Sequence, residues 1–209
     1  MNIRSLFLFP AVGLVWAFFF AGCATTPPHS SDFPPEARQA LAEANRDFTL
    51  EGQPIHPALV HYFEAWLTDD GPIIVAVDVR EGQSSREFST PVFRNGNEFH
   101  SEVPDTDPPE HAGYQRIGRL ADGTHVLRTF CNTGGSANFE HLLLFRFHLE
   151  IYHRPEGKAD WRLVLREVGD IDLGDRDEGQ IIVEANDVKV EPSVERTAEI
   201  IVTPDEASE

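Results

Sequence analysis

The chain has 209 residues, 41% of them hydrophobic and 25% charged. That composition supports one packed domain of about 140 to 150 residues and argues against wholesale disorder. Asp and Glu number 35 against 17 Lys and Arg, a formal charge of −18, so the surface repels phosphates and anionic headgroups; nucleic acid is disfavoured as a partner, while cations, basic proteins and neutral glycans stay open.

Met1 to Ser5 carries one charge, Arg4, and is followed by an unbroken apolar run from Leu6 to Ala21, the order of a secretory signal. As a helix that run reaches about 24 Å, short of the ~30 Å hydrocarbon core, and Pro10 and Gly13 weaken it further, so a stable span is the poorer reading. The run closes on Phe20-Ala21-Gly22-Cys23, which resembles the lipobox of bacterial lipoproteins. The resemblance covers the first 23 residues, with Phe20 where the class favours Leu. It implies removal of residues 1 to 22, a lipid on the Cys23 sulfur and usually acylation of the new amino terminus, hence firm anchoring by several buried chains. Ala24 after the cysteine implies outer-membrane sorting in a cell with two membranes. An ordinary signal peptide cut near Ala24, or an uncleaved anchor, is the alternative. Loss of Arg4 with the signal leaves the remainder one charge more negative.

Residues 23 to 35 follow with four prolines among Ser and Thr, a tether between anchor and domain. Ala37, Ala40, Leu41 and Ala44 keep one helical face and predict a short helix over 36–46. Pro57 suits the first turn of a second helix, which turns Leu59, Val60, Phe63, Trp66 and Leu67 to the core before Asp69-Asp70-Gly71-Pro72 stops it. Everything beyond reads as β. The apolar run Ile73 to Val79 predicts a strand near the middle of a sheet. Asn95-Gly96 and Asp122-Gly123 carry type I′ hairpin chemistry. From Phe139 to His153, Leu143, Phe145, Phe147, Leu149 and Ile151 share one face while Arg146, His148 and Glu150 share the other, a long strand with a dry and a wet side. Trp161 to Arg166 forms the next strand, Ile181 to Val183 and Val188 to Val190 a final pair, and Ile200-Ile201-Val202 a candidate edge strand. The expected fold is mainly β (α+β): two short N-terminal helices, then seven or eight mostly antiparallel strands closing toward a sandwich or open barrel, in a single domain over 36–190 with an acidic tail over 191–209.

No complete catalytic motif is present. Of nine histidines, His56 and His61 are five apart, which does not converge two rings on zinc from one helical face. His61 and Glu64 share a face at i, i+3, and His148 and Glu150 project together from the long strand, where a carboxylate raises imidazole basicity. The plainer reading of both pairs is a solvated polar face. Asn132 to Asn138 holds Gly134, Gly135 and Ser136 in a loop able to present backbone N–H groups to a ligand, without the lysine and helix of a P-loop or the flanks of a nucleophile elbow. The segment Gly169 to Gly179 carries five carboxylates in eleven residues, with Asp170, Asp172, Asp175 and Asp177 as calcium candidates, although its spacing departs from the EF-hand pattern. The loop Pro104 to Glu110 is a weaker case of the same kind. If Cys23 is acylated, Cys131 has no partner and reads as a small buried hydrophobe in a strand; if not, a disulfide between the two is open in an oxidising compartment.

The sequence thus points to a membrane-anchored extracytoplasmic lipoprotein with a non-catalytic binding or envelope-structural domain. It requires no cofactor, and its partners are the membrane through lipid and an envelope protein or glycan. An envelope hydrolase using the His/carboxylate pairs and a calcium-dependent binding module are the rivals.

Overall fold

The structure, a computed structural model, describes residues 29–63, 74–103, 110–132, 138–175, 179–192 and 200–202. The signal segment, Cys23, Glu64, the stop at 69–72, the loop 133–137 and Asp177 lie outside them.

Helix α1, Pro35–Asp47, starts on a proline in its first turn and buries Ala37, Ala40 and Ala44. These are the small residues of the predicted stripe, and their size lets the helix lie close to the sheet. The helix ends where Phe48 turns left-handed at φ 55°. A two-stranded ribbon follows, β1 Thr49–Leu50 and β2 Gln53–Pro54. Helix α2, Pro57–His61, is capped by His56, whose Nδ1 accepts from the Ala58 N–H while Nε2 faces the Thr90 carbonyl at 3.0 Å. His56 is therefore a helix cap, which explains its spacing from His61.

Seven strands make one antiparallel sheet: β3 Ala76–Asp78, β4 Phe93–Asn95, β5 Glu98–Val103, β6 Glu110–Arg119, β7 His125–Asn132, β8 Phe139–His153 and β9 Ala159–Asp175. Strands β4 to β9 run as a meander, and β3 returns to pair with β9 at the far edge. The mainly β class with N-terminal helices is thus the observed one. Strand β3 sits at an edge instead of near the middle. The apolar run that predicted it is split, because the Asp78 carboxylate accepts from the N–H groups of Arg80 and Glu81 and starts a third helix, α3 Val79–Ser84. Val79 is fully buried as the first residue of that helix, whereas Val75 stays 53% exposed.

Both hairpins form, each with different turn chemistry from that predicted. Asn95 pairs with Glu98, so the central residues are Gly96-Asn97 with φ +64° at Gly96 alone; positive φ at the first central position is the type II′ signature. In the second, the Leu120 N–H donates to Thr124, the Gly123 N–H donates back to Leu120 and Gly123 has φ +94°. That is a three-residue loop closed by a glycine bulge.

Strand β8 matches its predicted bounds, and its alternation divides the molecule. Leu143, Phe145 and Phe147 face the helices, in a core with Phe48, Ile55, Leu59, Tyr114, Leu127, Leu163 and Leu165. Leu142 and Leu144 face the other way, in a second core with Val126, Ile171, Leu173, Val188 and Val190. That second core is covered by a separate sheet of β10 Ile181–Val183, β11 Val188–Val190 and β12 Ile200–Val202. It approaches closely because Gly118 has no side chain: a Cβ there would fall 3.0 Å from Val183. Packed structure therefore reaches beyond 36–190, with Phe33 buried at one end and β12 paired at the other.

Candidate functional site

The three-stranded sheet covers only part of the face it packs on. Beside it, over β5 to β7 and the start of β8, the large sheet presents a concave groove of about 450 Å³. Strand alternation aims Glu98 and His100 of β5, His111 and Gln115 of β6, Arg128, Phe130 and Asn132 of β7, and Glu140 of β8 into it, with Asn138 at the rim. Register sets these in rows. Glu98, Gln115 and Arg128 are cross-strand partners, and so are His100, Gly113, Phe130 and Glu140.

Gly113 occupies the middle of the second row for a steric reason. The Phe130 ring lies over it, and a Cβ at that position would fall 2.0 Å from Phe130 Cε2. The His100 ring meets Phe130 at 4.8 Å between centroids. The two rings, tilted by 47° to one another, make an aromatic floor edged by polar groups. Arg128 and Glu140 are paired within the groove: both Arg128 Nε, at 2.7 Å, and Nη2 donate to Glu140 Oε2, and Asn138 donates to the other carboxylate oxygen at 3.3 Å. His100 Nε2 lies 3.4 Å from Glu98 Oε2.

The predicted site residues disperse over the rest of the molecule. His148 and Glu150 do meet, at 2.8 Å, on the wet side of β8. Arg162 holds the second oxygen of Glu150 at 2.9 Å and Arg166 stands 3.9 Å from the first. Burial raises the Glu150 pKa, but the hydrogen bonds from His148 and Arg162 outweigh it and keep the carboxyl below its ordinary range. This is an ion-pair network with both oxygens engaged. His125 is fully buried against Phe48 and Phe147; among the described residues neither ring nitrogen has a well-formed hydrogen bond, and the Ala44 and Asn45 backbone beside it favours the protonated ring only weakly. Burial first, then Arg116 and Arg119, push its pKa down to about 4. His141 is buried in β8. His61 lies across the sheet against Cys131.

Of the calcium candidates, Asp170, Asp172 and Asp175 belong to β9, which runs on where a loop was expected. Ile171 and Leu173 between them are buried, and at about 3.3 Å per residue a strand spreads carboxylates apart instead of converging them. Asp172 accepts from the Gly174 N–H at 2.9 Å and Asp175 from the Asn138 N–H at 2.8 Å. Asp177, Glu64, Gly134, Gly135, Ser136 and Cys23 lie outside the described residues. Cys131 is buried in β7, where a small hydrophobe was expected.

The groove escaped the sequence reading because its residues come from four strands and meet only through register. One signal was available: Asp122-Gly123 marks a hairpin, and aligning the chain on either side of it brings Phe130 near a glycine. Compared with protein-family models, with curated proteins and with solved structures, the chain shows no match.

Proposed function

We propose that this protein is a lipid-anchored, non-catalytic module of the bacterial envelope that binds a neutral glycan in the groove over β5 to β7. The observation that carries the reading is the groove's chemistry. It combines an aromatic floor, amide and imidazole edges, and an arginine and a glutamate already paired with each other. Amides and imidazoles offer both donors and acceptors to hydroxyl groups, and the C–H face of a sugar packs on a flat ring. A surface of charge −18 disfavours an anionic ligand. The signal segment, Cys23 and the proline-rich tether support the location. No helix among the described residues is long and apolar enough to cross a membrane.

The test is a heteronuclear NMR titration with N-acetylglucosamine oligomers and soluble cell-wall glycan fragments. The expected shift changes centre on the amides of His100, Gly113 and Phe130. Phe130→Ala and Gly113→Ala both weaken the binding, the first by removing the floor and the second by lifting the ring. Silence of this face at millimolar glycan, or changes confined to other surfaces, overturns the assignment.

A further inference from the structure

On the helix-covered side of the large sheet, three side chains from separate elements converge: His61 at the end of α2, Glu110 at the start of β6 and Cys131 near the end of β7. Cys131 Sγ lies 3.9 Å from His61 Nε2. A carboxylate oxygen of Glu110, the sulfur and an imidazole nitrogen all lie within 4.8 Å of one another. Register produces half of this arrangement. Ala112 pairs with Cys131, and Glu110, two residues earlier, shares the face of Ala112 and stands diagonally beside the cysteine. Helix α2, laid across β5 and β6, supplies the histidine.

A buried cysteine is ordinarily a small hydrophobe with a weak S–H donor. That role accounts for the Cys131–His61 contact; the Glu110 carboxylate at the same point makes the group a set of three metal-ligating donors. A divalent cation accounts for all three. Thiolate, imidazole and carboxylate are zinc ligands; Zn–S of about 2.3 Å and Zn–N of about 2.0–2.1 Å at tetrahedral angles put sulfur and nitrogen about 3.5 Å apart. The observed 3.9 Å is within a small side-chain movement of that. Calcium and magnesium take oxygen ligands and are disfavoured by the thiol. Among the described residues, this is the one group of three such donors whose ligand atoms converge. His61 and Glu110 are only partly buried, so an ion has access from their side while the sulfur stays shielded. The acidic surface concentrates cations near it.

We propose that His61, Glu110 and Cys131 bind one zinc ion, with a fourth position left for water, and that the ion ties α2 to β6 and β7. The site lies on the opposite face of the sheet from the glycan groove and stands independently of it. The purified full chain in detergent, stripped with chelator under reducing conditions, is to be loaded with Zn²⁺ or Co²⁺. One ion per chain binds, Co²⁺ gives a thiolate-to-cobalt charge-transfer band, and Zn²⁺ raises the melting temperature. Cys131→Ser removes the band and His61→Ala removes stoichiometric binding. Glu110→Gln replaces a half-buried group without entering the core; it weakens binding at least as much as the roughly tenfold lost with an outer-shell partner, at unchanged circular dichroism. Absence of stoichiometric metal, a Co²⁺ spectrum without the thiolate band, or wild-type affinity in Glu110→Gln overturns the site, the last even if the cysteine variant does not fold.

Discussion

At the scale of single residues, a buried histidine and a half-buried glutamate pull stability in opposite directions with pH. The pKa of His125 is pushed from 6.5 down to about 4 by burial and then by Arg116 and Arg119. The folded state therefore holds the ring neutral, and the contribution present above pH 6.5, about 3 kcal/mol, is lost as pH falls toward 4. Glu167 is raised from 4.5 to about 7, by burial first and then by Asp170. Its contribution is present below pH 4.5 and is lost as pH rises through 7, about 2 kcal/mol after allowance for partial exposure. Between 4.5 and 6.5 the two slopes oppose each other, so each variant uncovers the other group. His125→Phe, whose ring fits between Phe48 and Phe147 and carries no nitrogen, gains urea stability from pH 7 to pH 5, and Glu167→Gln loses it. Two variants that keep the wild-type pH dependence contradict these assignments. None of this was legible in the chain: His125 follows a turn and Glu167 sits among arginine and valine. Their surroundings come from chain distant in sequence: Phe48 after α1 packs on His125, and the Val75 carbonyl accepts from the Glu167 N–H.

At the scale of elements, the C-terminus of α1 shows how a helix is held on the sheet. Its last carbonyls have no intrahelical donors, and β6 supplies them: Arg116 donates to the carbonyls of Asp47 and Arg46, and Arg119 to that of Asn45. Cations at the negative end of the helix dipole add to those bonds. Arg116→Leu is expected to cost about 1–2 kcal/mol, read as a lower melting temperature; an unchanged melting temperature rules out the capping role. Elements whose pattern had a clear period were legible. The Ala stripe of α1 and the alternation of β8 are examples: the stripe packs on one core, and successive residues of β8 divide between the two. Where one run serves two elements the pattern misled. Ile73 to Val79 reads as a continuous strand, yet Asp78 caps a helix inside it. The acidic stretch beyond Gly169 looked like a loop because its charges hid the period-2 alternation of Ile171 and Leu173 under the second sheet. The candidate site was the least legible part, because His100, Gly113, Phe130 and Glu140 lie side by side only once four strands are in register.

At the scale of the whole molecule, the large sheet separates two surfaces of different make-up. Helices and the proposed zinc site occupy one face, and the second sheet and the groove occupy the other. A groove that engages envelope glycans has a purpose only if the domain is kept beside them, so the proposed function depends on the Cys23 anchor. On that proposal, the proline-rich stretch after Cys23 sets the reach of the domain from the membrane. The most direct test is the intact mass of the protein extracted from membranes. The proposal expects a chain beginning at Cys23 with the added mass of a diacylglyceryl group and an amide-linked acyl chain, and loss of that species in Cys23→Ala. An unmodified chain beginning at Ala24 or later contradicts it.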